Sequence, residues 1–187
     1  MKNQHFSFYN ETVSVLSDIG SRIDGFVAHV ASYRVIEVLD IRPLKNEISN
    51  VIFKQADLMD ESNIELEITD SISCLHALEH FGLGRYGDPI NFDGFYIGFK
   101  NITKMLKAGG KFYFSVPLGP QRIEFHAHRV FSLSFLKKML SESYRVDVFS
   151  YVDDNNIFHP SVQLTDELLD NNCGCSLGCA IFELTKK

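Results

Sequence analysis

Short β-branched apolar runs alternate with amphipathic stretches along most of the chain. Thr12–Leu16 reads as a buried strand that ends at the turn Ser17-Asp18-Ile19-Gly20. Ile23, Phe26, Val27 and Val30 then recur at helical spacing and predict a helix with one apolar face. Arg34–Leu39 predicts a second strand, stopped by Asp40 and Pro43, and Val51–Phe53 begins a third that runs toward Asp57. Ser71–Leu75 predicts a fourth strand. Phe92, Phe95, Tyr96, Phe99, Ile102 and Leu106 mark a long amphipathic helix, which Gly109-Gly110 would close. Lys111–Val116 predicts a fifth strand, stopped by Pro117. Phe135, Leu136, Met139 and Leu140 predict another helix, with Ser132 or Ser134 as its N-cap. Tyr144–Tyr151 and Cys179–Leu184 are the last two strands. The polar stretch from Asp153 to Asn172 reads as a long surface loop with a short helix near Glu167.

Strands that alternate with helices predict an α/β domain whose mainly parallel sheet is covered on both faces. No convincing helix separates the last two of the seven strands, so they are expected to pair antiparallel at one edge. An exposed last strand there would be open to pairing between subunits; the pattern does not specify an oligomeric state. There is no internal repeat and no composition break, so residues 1–187 are expected to form one domain.

Composition agrees with this picture. The 187 residues are 45% hydrophobic, with 16 Phe and 7 Tyr, enough for a core without covalent staples. The net charge of −6 is a poor match for phosphate backbones and for anionic membranes, so neither nucleic acid nor a membrane is an expected partner. The first residues lack an apolar run of signal-peptide length, and no window approaches the ~18 apolar residues of a membrane span. The four cysteines do not form a secreted-protein framework. A cytoplasmic location is the expectation.

Ligands of open α/β sheets bind beyond the carboxyl ends of the strands, so the residues that end each strand are the candidates for chemistry. The first strand ends in Asp18-Ile19-Gly20, with Gly25 further on. Glycine there permits a tight turn and close approach of a ligand. The second ends in Asp40, a carboxylate able to accept from two ribose hydroxyls. The third ends in Ala56-Asp57-Leu58, which suits the edge and face of an adenine. The fourth ends in His76-Ala77-Leu78-Glu79-His80. The first turn lacks the three-glycine dinucleotide pattern, which argues against a nicotinamide enzyme.

These strand ends, together with Met105-Leu106-Lys107-Ala108-Gly109-Gly110-Lys111-Phe112-Tyr113-Phe114-Ser115-Val116-Pro117, resemble the class I S-adenosylmethionine-dependent methyltransferase superfamily over nearly the whole chain. Leu75 to His80 is similar to its segment after the fourth strand. His76 to Asp88 and Phe125 to Ser132 more narrowly resemble an uncharacterised, domain-of-unknown-function branch of methyltransferase-like proteins. The resemblance implies a Rossmann-like, doubly wound, mainly parallel seven-stranded sheet with an antiparallel edge. It implies that Asp18, Gly20 and Gly25 surround the methionine moiety of S-adenosyl-L-methionine, that Asp40 holds the ribose, that Asp57 and Leu58 meet the adenine, and that His76 and Leu78 lie near the cofactor. The superfamily usually shows a denser glycine pattern at the first turn, where this chain has Ser21-Arg22-Ile23-Asp24. Arg22 or Asp24 would either block the cofactor or pair with its charged ends.

The expected function is methyl transfer to a small polar acceptor, a sugar or another metabolite. His80, His76, Glu79 and His126 are the candidates for the base or for orienting it, His80 being preferred, because imidazole titrates near working pH. Arg85 and Tyr86, in the glycine-rich loop from Gly82 to Pro89, are the candidates for acceptor recognition. Two other readings stay open. One is a catalytically inactive methyltransferase-like binding protein. The other is a zinc-dependent hydrolase through His76 and His80, since H-x-x-E-H on a helix would present both imidazoles on one face. His126-Ala127-His128 would add two imidazoles on one face of a strand. The bland reading, polar loop histidines near a cofactor pocket, is the stronger. Cys173, Cys175 and Cys179 lack paired C-x-x-C spacing, and Cys179 reads as a small apolar residue at the start of a strand.

Overall fold

A computed structural model describes residues 15–124 and 127–187. Strands β1 (Leu16–Ile19), β2 (Ile36–Asp40), β3 (Val51–Gln55), β4 (Thr69–Leu75) and β5 (Leu106–Leu118) form a parallel array in the order β3-β2-β1-β4-β5. Past β5 come β10 (Gly178–Lys186), β8 (Tyr144–Val152) and the two-residue β9 (Phe158–His159), which complete an eight-stranded sheet. The strand count exceeds the expected seven by β9, which forms inside the polar stretch after β8. Two further strands among the described residues, β6 (Arg122–Glu124) and β7 (His128–Val130), pair antiparallel outside that sheet. Strand order reverses between β1 and β4, which makes the carboxyl ends of these strands the expected ligand-binding rim.

Strand periodicity sorts the core into two clusters. Leu16, Ile36 and Val38 pack with Val27 and Ala31 of α1 (Gly25–Ala31). Ile19 and Leu39, out of phase with them, join a larger cluster with Phe99, Ile102 and Met105 of α2 (Gly94–Met105) and Leu136 and Leu140 of α3 (Leu133–Ser141). Phe112 and Phe114 of β5, Phe182 of β10, and Phe149 and Tyr144 of β8 form the aromatic centre of that cluster. The Ser132 hydroxyl caps α3 by accepting from the Phe135 N–H, and a short α4 (Asp166–Asn171) stands where the polar stretch predicted one.

Several boundaries differ from the sequence pattern. The first strand carries Asp18 inside it rather than in the turn, with Thr12 to Ser14 outside the described residues. Phe92 stands before α2, and its side chain is largely exposed. Gly109-Gly110 does not close α2, which stops at Met105; the chain turns extended at Leu106, and Leu106 to Lys111 oppose only Thr69 to Ser71 of β4. The glycines serve that bulge: Gly109 has a φ of +74°, and a Cβ at Gly110 would sit 2.6 Å from the Leu106 side chain. Pro117 does not stop β5, because its ladder continues through its carbonyl, which accepts from Phe131 N–H at 3.0 Å.

β8 and β10 do pair antiparallel, yet β10 is not at the edge. It runs antiparallel between β5 and β8, with Ala180, Phe182 and Leu184 fully buried against the aromatic centre. A strand so apolar on one face gains most when flanked on both sides, so the last strand offers no free edge for a second subunit. No helix among the described residues is long and apolar enough to cross a membrane.

Candidate active site

The carboxyl ends of β1, β2 and β3 open into a cleft floored by Ile19, Leu39, Ala56 and Leu58 and rimmed by Gly20, Asp40 and Asp57. The segment after β4 closes the opposite side with Ala77, His80, Phe81, Tyr86 and Asp88. Gly20 has a φ of +76°, and a Cβ there would meet the Ala77 methyl at 2.5 Å. A side chain at position 20 would therefore push β1 and the post-β4 segment apart as well as strain the backbone. Its N–H donates to Leu39 O at 2.8 Å and ties the turn to β2.

Asp18 lies beneath that turn and is fully buried. Its Oδ1 accepts from the Ser73 hydroxyl at 2.6 Å, while among the described residues Oδ2 finds no hydrogen-bond donor of good geometry. Burial pushes its carboxyl up to about 6, and the Ser73 and Ser21 groups nearby pull it back only in part. A buried carboxylate with one orphaned oxygen is a poor structural choice and a good receptor for a cation. Of the two residues that depart from the glycine pattern, Asp24 caps α1 by accepting from Val27 N–H at 3.0 Å, and Arg22 is exposed.

Asp40 is engaged by a residue the pattern did not single out. Arg42 donates from its backbone N–H to Asp40 Oδ1 at 2.8 Å, from Nε to the same oxygen at 2.9 Å, and from Nη2 to Oδ2. Nη2 also reaches Gly20 O at 3.2 Å, and the guanidinium lies 4.4 Å from the centre of the Tyr86 ring. Arg42 thus bridges the β1 turn, Asp40 and the loop after β4. The signal was present, since an Arg two residues past a strand-end Asp can fold back on it, but that geometry depends on the ring of Tyr86 44 positions later. Asp57 accepts from Met59 N–H at 2.8 Å, an Asx turn that fixes the end of β3 beside the cleft.

The H-x-x-E-H segment is not one helix. His76 sits in a left-handed turn at φ +53°, and a single 3-10 turn, Leu78–His80, follows. The two imidazoles therefore do not share a helical face, and the described residues hold no group of three or more His, Cys, Asp or Glu placed for a metal. His126 lies outside the described residues, and strand β7 begins only at His128.

Each histidine has its own surroundings. His80 lines the cleft. Its Nδ1–H donates to Ala127 O at 2.7 Å, which leaves Nε2 as the acceptor nitrogen, and burial lowers its pKa from the ordinary value. His76 points the other way: Nδ1 is 3.1 Å from Glu79 Oε1, and Nε2 is 3.1 Å from Cys179 Sγ. The sulfur and the carboxylate raise the His76 pKa to about 10. Glu79 is buried between the two imidazoles, 3.9 Å from His80 Nε2. A second residue that the pattern did not single out, Arg129, anchors this segment. Its buried guanidinium donates to the carbonyls of Glu79, Phe81 and Phe92.

The structure thus gathers Gly20, Asp40, Asp57, Leu58, His80 and Tyr86 around one cleft, with Asp18 beneath it. It does not bring the others there. Gly25 opens α1, Leu78 is buried in the core, His76 and Glu79 turn toward β10, and Arg85 extends to Ala127 O at 2.9 Å. The loop that carries Arg85 and Tyr86 is held by Asp88, whose carboxylate accepts from the N–H groups of Gly82, Gly84 and Tyr86.

The fold recurs in solved structures. A putative S-adenosylmethionine dependent methyltransferase from Listeria monocytogenes superposes with a TM-score of 0.60 at 13% identity, over 94% of this chain and 91% of that one. The N-methyltransferase NodS from Bradyrhizobium japonicum, solved with S-adenosylhomocysteine, gives 0.62 at 16% identity over 93% and 78%. The [4+2]-cyclase SpnF gives 0.62 at 13% identity over 92% and 74%, so the same fold serves another reaction. No curated protein matches the chain significantly. A family model does match, over residues 29–174, and on that ground the chain, with its class I methyltransferase fold, belongs to the family described as Caenorhabditis protein of unknown function, DUF268.

Proposed function

We propose that the chain transfers a methyl group from S-adenosylmethionine to a small polar acceptor. The observation that carries this reading is the cleft at the carboxyl ends of β1 to β3, where an apolar floor meets acidic groups at both ends. The residues suit the cofactor. The orphaned Oδ2 of Asp18 would receive the ammonium of the methionine moiety, Asp40 the ribose hydroxyls, and Asp57 with Leu58 the adenine. When bound, that cofactor supplies a methyl group already activated on a sulfonium.

The chain then has to hold the acceptor in line and remove its proton. His80 fits the second task. The hydrogen bond to Ala127 O fixes its tautomer, burial keeps it neutral at working pH, and Nε2 is left to accept a proton. Tyr86 would face the acceptor from the loop that Asp88 rigidifies. A sugar is one acceptor of suitable size and polarity.

A second reading is a binding protein without turnover, and the Arg42 clamp on Asp40 favours it. In that case the ribose has to displace a guanidinium before it reaches its carboxylate. Two measurements separate the readings. Calorimetric titration with S-adenosylmethionine and S-adenosylhomocysteine should give a saturable heat and thermal protection; neither would mean that the cofactor assignment is wrong. Release of S-adenosylhomocysteine with a panel of hydroxyl and amine acceptors supports turnover, and binding without release leaves the second reading standing.

A further inference from the structure

His76, Glu79 and Cys179 lie outside the cleft, and methyl transfer as proposed does not use the cysteine. Their arrangement is that of a nucleophile, a base and an orienting carboxylate. Cys179 Sγ is 3.1 Å from His76 Nε2, and His76 Nδ1 is 3.1 Å from Glu79 Oε1. Those distances fall in the range that couples nucleophile to base and base to orienter. The three residues come from the turn after β4 and from the start of β10, 103 positions apart. Two constraints fix them. The His76 backbone N–H donates to Ser115 O of β5 at 3.0 Å, and Cys179 pairs in register with Pro117 on the other side of that strand.

The electrostatics point the same way. Glu79 is buried, its Oε2 has no hydrogen-bond partner among the described residues, and the His76 imidazole lies 3.1 Å from its Oε1 as the compensating cation when protonated. The His76 side chain is 47% exposed, which opens the pair to molecules from solution. Among the described residues no imidazole is hydrogen-bonded to Cys74, Cys173 or Cys175, and burial pushes Cys173 and Cys175 up to about 11 and raises Cys74 further.

We propose that Cys179, His76 and Glu79 form a second reactive centre, in which the Cys179 thiolate, paired with the His76 imidazolium and oriented by Glu79, accepts an acyl group from a small ester or thioester. Sγ attacks the carbonyl carbon, the C–S bond forms, and the bond to the leaving oxygen or sulfur breaks. The leaving group takes the Nε2 proton of His76. Water then attacks the acyl-cysteine and gives its proton to Nε2; the C–S bond breaks, and thiolate and imidazolium are restored together with the free acid. This centre is independent of the cofactor, so its test uses the protein without it.

The test is competitive labelling of the full chain at pH 6.5 with iodoacetamide, and separately with p-nitrophenyl acetate, read by peptide mass spectrometry. Cys179 should label at least about tenfold faster than Cys173 in the unmodified protein. His76→Asn should remove that advantage. Glu79→Gln, a change at a positioning residue, should move the pH profile of Cys179 labelling upward without abolishing it. Equal labelling of Cys179 and Cys173 in the unmodified protein would overturn the proposal whether or not the variants fold. So would a His76→Asn protein that labels at the original rate.

Discussion

His76 and His80 are four residues apart, share one buried carboxylate, and are driven to opposite protonation states. His80 gives its Nδ1–H to a carbonyl, faces an apolar cleft and is held neutral by burial. His76 faces a carboxylate and a sulfur at 3.1 Å each and holds its proton up to about pH 10. The residue type is the same, so the difference lies in the partners. A neutral amide carbonyl fixes a tautomer without paying for a charge, whereas two acidic groups stabilise the imidazolium. The two chemistries proposed above divide along this line: proton acceptance on the cleft side, and thiolate pairing on the β10 side.

The sharpest way to break this contrast is a pair of substitutions. His80→Asn should lower release of S-adenosylhomocysteine by about 10²–10⁴-fold, the usual size of a general-base contribution, while Cys179 labelling stays as it was. His76→Asn should abolish the labelling advantage. If both variants lose both activities, the two imidazoles act as one site and the contrast fails.

Asp18 extends the comparison to the floor of the cleft. Its pKa is raised to about 6, so its contribution to stability is fully present below its unfolded value near 3.8 and is lost as pH rises through 6. Above pH 7 the buried carboxylate therefore costs about 3 kcal/mol. Asp18→Asn should raise the melting temperature by several degrees at pH 7.5 and make little difference near pH 4. The same variant should lose heat of binding with S-adenosylmethionine. A stabilised variant that still binds would show that the orphaned oxygen serves no ligand.

The histidines should also leave opposite marks on stability. The raised His76 stabilises the fold fully below about pH 6.5, and that contribution is lost as pH rises through 10. The lowered His80 works in reverse: the unfolded chain takes up its proton first, so stability falls as pH drops below 6.5. Denaturant titrations at several pH values would show the His76→Asn deficit shrinking toward pH 10 and the His80→Asn variant gaining relative stability in acid. With His76 half exposed, solvent screening limits its share to about 1 kcal/mol. A parallel pH dependence for the two variants would contradict the assigned charge states.

The smallest expected effect is at Arg42. Removing its side chain frees Asp40, so Arg42→Ala should tighten S-adenosylmethionine binding by about two- to fivefold, the size of a partly exposed ion pair. Weaker binding would mean that Arg42 orders Asp40 for the ligand rather than competing with it.

How much of this was legible depended on range. The alternation of strands and helices, the Ser132 cap and the short helix at Asp166–Asn171 were readable because each rests on neighbours within one turn or one strand. So were the carboxylates at the strand ends, since a strand that stops at Asp40 has nowhere to put that residue but the rim. Helix and strand limits were less legible. Gly109-Gly110 reads as a helix stop, but the pull of β4 on Leu106 ends α2 earlier and turns the glycines to a bulge. Arg42 over Tyr86, and Arg129 under the His80 turn, need loops brought together from far apart, and no local pattern records that.

The amino-acid sequence by itself determined the fold class, the cleft's acidic rim and the presence of two histidines around Glu79, because periodicity and residue type act locally. Only the tertiary structure decided that β10 lies inside the sheet rather than at its edge, and that placement sets Cys179 beside His76. It also decided which imidazole is neutral and which is charged. Charge state follows from the polar groups and the burial around each ring, and those come from segments that meet only when the sheet closes.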